Sequence, residues 1–471
     1  MQRRRGSAKS GEWTGRRRCP SVATHGRHDP PRPHPDRRLT VAVTRRDAGL
    51  VASIGLGGLV GNFLGLIIGA GIFAVPRDIA AAMGPWGPLS YVAGAITMGA
   101  IMLCFAEAAA RVPTSGGIYG IATTAFGPYW GWLSGILLWA GNTLSSAAGA
   151  VAAVAAASLF VPALGAGLAQ SLAIVALYVA LVLMNIRSVA TASRLISAAT
   201  LLKLIPIVLF LAIGAAYVSP VNLQAALPAG GSPDIGRAAI LGLFMFTGIE
   251  VGLGVAGEVR DPARTIPRAI AIALSAAALL YIGIQVVAQG LIGNALADAP
   301  APLAAALGSV SPALGAMMAI GAMVSIIGYL AGDMMSSPRT LFAAARDGYL
   351  PALFGRVDTR YHAPQLAIIV HAAVAGALAL SGSFQALVIA STLITLIVYV
   401  IGCAAALRLR ARDVALAGPV ARVWGLWPAA IMAFAASAWL AAQSTRAEAV
   451  AIAALIGVAT LLHVLRRKAV P

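Results

Sequence analysis

The sequence predicts an all-α integral membrane protein, and three observations carry this prediction. Hydrophobic residues make up 59% of the 471 residues and charged residues only 11%, with a mean hydropathy of +0.85. The apolar residues form continuous runs of about 20, the length that a helix needs to cross a bilayer. Lys and Arg collect in alternate loops, as they do on the cytoplasmic side of helical membrane proteins. A transmembrane β-barrel would show alternating polarity instead.

Twelve apolar runs are predicted to span the membrane. They lie at about 49–76, 87–110, 130–160, 166–186, 193–218, 236–257, 267–292, 313–336, 364–382, 384–407, 422–441 and 447–465. The pair 364–382 and 384–407 is separated only by a tight turn, so one long span is the alternative there. With the N-terminus inside, 17 Lys and Arg residues fall on the cytoplasmic side and three fall outside. Both termini are therefore predicted to be cytoplasmic, in a bacterial-type inner membrane.

Residues 1–48 form a separate, basic segment. They contain 13 Lys and Arg and 4 Asp and Glu, which supplies +9 of the chain's net charge of +18. With few apolar residues and several prolines, the segment is predicted to be disordered, and it lacks the apolar core of a signal peptide. The favoured interpretation is a solvated cytoplasmic tail or an over-extended start. Anionic lipid is the alternative partner, and nucleic acid is not expected.

Two spans contain glycines that weaken a helix. The first reads "GLIIGAGIF" at 65–73 and the sixth reads "FMFTGIEVGLG" at 244–254. Glycine costs roughly 1 kcal/mol relative to alanine in a helix interior, and irregular backbone is tolerated in a membrane where it lines a cavity. Breaks five spans apart predict two inverted five-helix repeats, 49–218 and 236–407, two further helices in 422–465 and a tail at 466–471. Close helix packing is the alternative reason for the glycines.

A break at Gly69–Gly71 has a chemical consequence. It exposes backbone N–H groups at the N-terminus of a half-helix, where the amides and the helix dipole favour an anion such as a carboxylate. Exposed carbonyls of the other half-helices favour a cation such as an ammonium. One small molecule that carries both groups is an α-amino acid, which becomes the predicted substrate and partner.

Lys203, Glu250 and Asp333 lie inside predicted spans, where each is a functional hypothesis by default. Desolvation disfavours the charged form of both a lysine and a carboxyl, so Lys203 and Glu250 are candidates for proton coupling. The alternatives are a permanently charged strut for Lys203 and a neutral, hydrogen-bonded carboxyl for Glu250. Asp333 has three open interpretations: an ion pair with Lys203, a counter-ion for a cationic substrate, or a hydrated residue near the cytoplasmic mouth.

Four motifs, at the predicted spans and sides, resemble those of the amino acid–polyamine–organocation (APC) superfamily of transporters. They are "IIGAGIF" (67–73), "CFAEAAARVPTSGGIYG" (104–120), "FMFTGIEVGLGVAGEVRDPARTIPRAI" (244–270) and "SSPRTLFAAARDGYLP" (336–351). The resemblance covers residues 49–465. It implies a LeuT-like core of five-plus-five inverted repeats, followed by two helices, that works by alternating access.

The resemblance also implies a binding site. The amides of Ala70 and Gly71 would bind the substrate carboxylate, the carbonyls of Ile67, Phe244 and Thr247 would receive the α-ammonium, and the Phe244 ring would act as a gate. The full predicted set is Ile67, Ile68, Gly69, Ala70, Gly71, Ile72, Trp139, Asn142, Phe244, Thr247, Gly248 and Asp333. Position 70 is often serine in the family. The alanine in this chain removes a hydroxyl contact to the carboxylate, which predicts either weaker binding or a substrate that is less demanding of that contact.

The predicted function is a secondary active transporter for amino acids, with a neutral, mid-sized apolar substrate favoured. Lys203 resembles a family lysine that substitutes for a sodium ion, which favours a sodium-independent and proton-coupled carrier. The alternatives are an exchanger or exporter, including one for cationic amino acids or polyamines, and a transport-inactive sensor. No enzyme is predicted, because the sequence has neither H-E-x-x-H nor G-x-S-x-G. No metal, nucleotide or redox cofactor is predicted, and the three cysteines have no metal-binding spacing.

Overall fold

A computed structural model describes residues 54–113, 117–187, 204–224, 232–358, 363–416 and 424–469. The regular elements of these residues are helices. One isolated backbone bridge pairs Ile54 with Val259. This agrees with the all-α class that the sequence predicts. The predicted tail, 1–48, and Lys203 lie outside the described residues.

The α-helices longer than one turn are numbered in the order in which they occur along the chain, and the single turn Pro220–Leu223 is left without a number. They are α1 (Leu56–Ile67), α2 (Gly71–Met83), α3 (Gly87–Arg111), α4 (Gly117–Phe126), α5 (Pro128–Ala157), α6 (Gly167–Arg187), α7 (Leu204–Gly214), α8 (Ile235–Phe244), α9 (Pro262–Ile292), α10 (Pro302–Gly308), α11 (Pro312–Ser336), α12 (Pro338–Arg346), α13 (Gln365–Ser381), α14 (Phe384–Ala411), α15 (Leu426–Ala442) and α16 (Arg446–Ala469).

Prolines mark where many of these helices begin. Proline is the first residue of α5, α9, α10, α11 and α12. Its fixed φ suits the first helical position, and its missing N–H would have no intrahelical acceptor there. Gly127, just before α5, has a φ of 104°, a left-handed conformation that favours glycine. Local sequence therefore determines several helix starts before any tertiary packing.

Seven helical stretches of the described chain are long and apolar enough to cross a membrane. They are Gly71–Arg111, Pro128–Ala157, Gly167–Ile186, Arg264–Asp298, Pro312–Arg346, Phe384–Ala411 and Arg446–Arg466. Five shorter apolar helices accompany them: Leu56–Ile67, Leu204–Tyr217, Ile235–Phe244, Gln365–Ser381 and Leu426–Ala442. The protein is thus a multi-pass membrane protein, while the count of twelve spans and the inverted repeat stay predictions.

Helix α5 lies at the centre of the bundle, where it packs against α4, α11, α13 and α14. A second group forms where α3 packs against α8 and α9. Glycines allow the backbones of α3 and α8 to meet: a Cβ on Gly94 would lie 2.5 Å from the carbonyl oxygen of Gly242, and one on Gly242 would overlap the Ser90 carbonyl. This contact fixes α8 against α3 at Gly242, two residues before α8 ends.

A buried ion pair lies within the last two turns of α3 and contacts the chain that follows α14. The Nε atom of Arg111 lies 2.8 Å from Oε1 of Glu107, and Glu107 is fully buried. Arg111 Nη1 also donates to the Val414 carbonyl at 3.1 Å. Arg111 thus neutralises Glu107 within α3 and connects this helix end to the chain after α14.

The glycine contact between α3 and α8 gives the first prediction. Gly94→Ala places a methyl group against the Gly242 backbone, and overpacking of this kind typically costs about 1–3 kcal/mol. Gly99→Ala on the same helix is the control, because its Cβ would meet no atom within 4 Å. In detergent, the midpoint of thermal aggregation should fall for Gly94→Ala and stay level or rise for Gly99→Ala. Equal midpoints would show that the close contact is absent.

Candidate functional site

The first helix break separates α1 from α2. Helix α1 ends at Ile67, Ile68 leaves the helical region with a ψ of 79°, and α2 begins at Gly71. The first N–H groups of a helix have no intrahelical acceptor, and no side chain of the described residues caps the N-terminus of α2. The chain at Ala70 and Gly71 lines a cavity. This break therefore offers backbone donors and the positive end of a helix dipole to whatever occupies the cavity.

The second break follows α8. The helix ends at Phe244, Gly248 has a φ of 103°, and residues Val251–Glu258 continue as a 3-10 helix. A Cβ at Gly248 would lie 3.2 Å from the carbonyl oxygen of Leu66 in α1. Glycine is required here twice, by its backbone conformation and by this close approach. The second irregular segment therefore contacts the last turn of α1, directly before the first break.

The two breaks and helices α5, α11 and α14 enclose a central cavity with a volume of about 310 Å³. Nine residues of the predicted binding set line it: Ile67, Gly69, Ala70, Gly71, Asn142, Phe244, Thr247, Gly248 and Asp333. Three members of the predicted set, Ile68, Ile72 and Trp139, do not. Ile68 and Ile72 are buried in the hydrophobic core, and the Trp139 ring packs edge-on against His371, with centroids 6.2 Å apart.

Two of the three carbonyls predicted to receive an ammonium already accept hydrogen bonds. The Tyr281 hydroxyl donates to the Ile67 carbonyl at 2.9 Å. The N–H and the hydroxyl of Thr247 donate to the Phe244 carbonyl at 3.0 and 2.7 Å. Among the described residues, no backbone hydrogen bond reaches the Thr247 carbonyl. The Gly69 N–H also donates to the Ile67 carbonyl, at 2.9 Å. A carbonyl has two lone pairs, so those of Ile67 and Phe244 are both used, and Thr247 is the most available acceptor.

Glu250 lies between the central cavity and a second one. Its Oε2 accepts a hydrogen bond of 3.0 Å from the Gly248 N–H, so the carboxyl supports the break in the chain. Glu250 lines the central cavity and also a neighbouring cavity of about 380 Å³, whose wall includes Tyr119, Arg339 and Asp347. The residue is 3% exposed. Glu250 therefore lies at the border between the two cavities.

Asp333 has a partner that the sequence analysis did not identify. Its Oδ2 lies 2.9 Å from Nε2 of His371, and the Ser337 hydroxyl donates to its Oδ1. The two side chains are 4% and 0% exposed, so only a small part of Asp333 faces the cavity that it lines. A signal was available in the sequence: His371 lies inside a predicted span, where an ionisable residue needs a partner.

Small polar side chains form the rest of the cavity wall. Ser145 and Ser391 join their hydroxyls at 2.8 Å. The hydroxyl of Ser325 is buried and has no hydrogen-bond partner within the described part of the chain. All three residues line the cavity beside Asn142 and Thr395. No group of three or more His, Cys, Asp or Glu side chains that could hold a metal ion is found in the ranges that the structure describes.

Comparison with known proteins identifies the family. The family model described as amino acid permease matches residues 54–458. The chain belongs to the amino acid permease family. An uncharacterised transporter of Mycobacterium tuberculosis and one of Mycobacterium bovis are each 34% identical to this permease over 371 residues, which is 78% of this chain and 80% of the relative.

A relative with a named substrate is more distant. The methylthioribose transporter of Bacillus subtilis is 27% identical to this permease over 333 residues, covering 66% of this chain and 72% of the relative. Its substrate is a thioether sugar rather than an amino acid. Together, the family and these relatives identify the protein as a membrane transporter of small molecules, a class whose members are generally not enzymes.

The tight surroundings of Gly71 give the second prediction. A Cβ at Gly71 would lie 3.0 Å from the sulfur of Met245 and 3.1 Å from the Phe244 ring. Gly71→Leu should therefore fill the cavity and abolish uptake by proteoliposomes at equal membrane abundance. Gly61→Leu in α1 is the control, because Gly61 is exposed and a Cβ there meets no atom within 4 Å. Full activity of Gly71→Leu would contradict a binding site at this break.

Proposed function

We propose that this permease is a secondary active transporter that carries neutral amino acids across the cytoplasmic membrane by alternating access. We propose further that it needs no sodium and is coupled to protons. The observation that carries the proposal is the uncapped N-terminus of α2 in the wall of the central cavity. Such a terminus is suited to a carboxylate, and the Thr247 carbonyl across the cavity is suited to an ammonium.

The proposed architecture has twelve spans, with the core built from two inverted five-helix repeats. Three features support it. The first and sixth predicted spans are both interrupted, they contact each other at Leu66 and Gly248, and the cavity lies at their junction, as in transporters built from such repeats. The distribution of Lys and Arg supports cytoplasmic termini.

The composition of the cavity favours a substrate without net charge. Phe244 and Met245 give part of its wall an apolar surface. Asp333, the acid that would serve a cationic side chain, is already paired with His371. A buried carboxylate that has a partner attracts a second cation less strongly than a free one. A neutral amino acid is therefore favoured over a cationic amino acid or a polyamine.

A second candidate substrate is a neutral, hydroxylated thioether. The named substrate of the Bacillus subtilis relative suggests it, and the wall of hydroxyls and amide formed by Asn142, Ser145, Ser325 and Ser391 favours it. Such a wall can exchange hydrogen bonds with a sugar. The hydrogen bonds that the Ile67 and Phe244 carbonyls already accept also favour a sugar, since a sugar needs no ammonium site.

Uptake into proteoliposomes tests the proposal. The labelled panel should contain neutral amino acids, cationic amino acids, a polyamine and methylthioribose. Each is tested with an imposed pH gradient, with sodium, and with unlabelled compound inside. Uptake of a neutral amino acid driven by the pH gradient without sodium is the expected result. Uptake only against internal substrate would make the protein an exchanger, and uptake of methylthioribose alone would establish the second candidate.

Ala70 gives the third prediction, which separates the two substrates. Ala70→Ser adds a hydroxyl beside the proposed carboxylate site, and a hydrogen bond of this kind contributes about 0.5–1.5 kcal/mol. The KM for the amino acid should fall by about two- to tenfold. Ala81→Ser, at an exposed position of the same helix, is the control and should leave the KM unchanged. An unchanged KM in Ala70→Ser would contradict a carboxylate at this position.

A further inference from the structure

The Asp333–His371 pair lies in the wall of the cavity in a particular order. Asp333 lines the cavity, whereas His371, on α13, is fully buried and does not. Behind the histidine ring, Thr143 of α5 lies 3.4 Å from Nδ1. The four side chains Ser337, Asp333, His371 and Thr143 therefore form one continuous chain of polar contacts across three helices and the start of a fourth.

The hydrogen bonds at the two ends of this series of four side chains determine where a proton is needed. Thr143 donates its hydroxyl proton to the Trp139 carbonyl at 2.7 Å, so its oxygen faces Nδ1 of His371 as an acceptor. The Nδ1 atom therefore carries the hydrogen of that contact. The Nε2 atom then faces a carboxylate oxygen at 2.9 Å. A proton must lie between these two atoms, because otherwise two lone pairs would oppose each other.

That proton decides the charge of the site. With it, the pair is neutral overall, whether it is written as an imidazolium and a carboxylate or as an imidazole and a carboxylic acid. Without it, the pair has a charge of −1 in a buried position, which is costly in a medium of low dielectric constant. The pair can therefore release its proton when water reaches Asp333 through the cavity, and it must hold the proton when water is excluded.

The described ion pair of Asp333 is with His371, while Glu250 also lines the cavity and α14 carries Arg408 and Arg410 in its last turn. The phenols of Tyr178 in α6 and Tyr329 in α11 interact electrostatically with Asp333. Helices α5, α7 and α10 contain no Asp, Glu, Lys, Arg or His. The arginines of α12, Arg339 and Arg346, are exposed. Lys203 lies outside the described residues.

We propose that the Asp333–His371 pair is the site at which this permease binds its coupling proton. The inference deepens the proposed function and rests on it. A substrate that enters the cavity displaces the water that hydrates Asp333, so the loaded carrier must hold the proton while it is closed to both sides. The empty carrier keeps water in the cavity and can return with the pair deprotonated. One proton from the open side then moves with each substrate molecule, and the site gives it up to water on the other side.

Accumulation and exchange in proteoliposomes separate coupling from binding. For the wild type, a gradient of one pH unit should support an accumulation of about tenfold if one proton accompanies each substrate. Asp333→Asn and His371→Gln should both lose this accumulation, and His371→Gln, whose side chain lies outside the cavity, should keep exchange against internal substrate within about threefold. His463→Gln, which replaces a buried histidine of α16 outside the cavity, should behave like the wild type. Accumulation at the wild-type level in either pair variant overturns the proposal.

A second measurement needs no substrate, so it separates this proposal from the proposed function. Histidine labelled with ¹⁵N is introduced into the full chain in nanodiscs, and the His371 signals are those lost in His371→Gln. They should shift with pH in the wild type and should titrate at a different pH in Asp333→Asn. His371 signals that do not respond to pH, or that titrate identically in both proteins, overturn the proton site. Failure of the whole transport panel with the expected titration would overturn only the proposed function.

Discussion

The high free energy of unpaired backbone groups in lipid is the constraint on which the rest of this structure depends. Each such group costs several kcal/mol in hydrocarbon, so two interrupted helices are stable only where they meet each other and polar groups. The break at Gly248 meets the Leu66 carbonyl, in the last turn before the break at Ile68. Tyr281 and Glu250 satisfy part of the exposed backbone. The amides at the start of α2 and the Thr247 carbonyl remain, and they lie at the cavity.

The same constraint explains the polar groups farther along the cavity wall. An isolated carboxylate would be costly at this depth, and Asp333 avoids that cost by sharing a proton with His371. The wall of this cavity combines the start of α2 with the hydroxyl groups of Ser145, Ser325 and Ser391. Such a surface suits a solute with no net charge and several hydrogen-bonding groups, which is the property that a neutral amino acid and a thioether sugar have in common.

The sequence was sufficient to predict the helical class and the positions of the breaks, because glycines within apolar runs act locally. It was not sufficient to predict the Asp333–His371 pair, since those residues are on different helices and meet only through the packing of α11 and α13. It also could not separate Ala70 and Gly71 from Ile68 and Ile72. Successive residues of one short motif point in different directions, and Ile68 and Ile72 are directed into the core. Whether the Ile67 carbonyl already accepts a side-chain hydrogen bond depends on Tyr281, which is 214 residues away in the sequence.

The most direct test of the α2 amides as a carboxylate site is a binding comparison between an amino acid and its amino alcohol. L-leucine and L-leucinol share the ammonium and the side chain and differ only at the carboxylate. Hydrogen bonds to a charged group contribute about 1.5–3 kcal/mol each, so leucinol should bind at least about tenfold more weakly. Thermal stabilisation of the purified protein across a concentration series of each ligand measures this ratio. Stabilisation by leucine alone is the predicted result, and equal stabilisation by both ligands would contradict a carboxylate site at the start of α2.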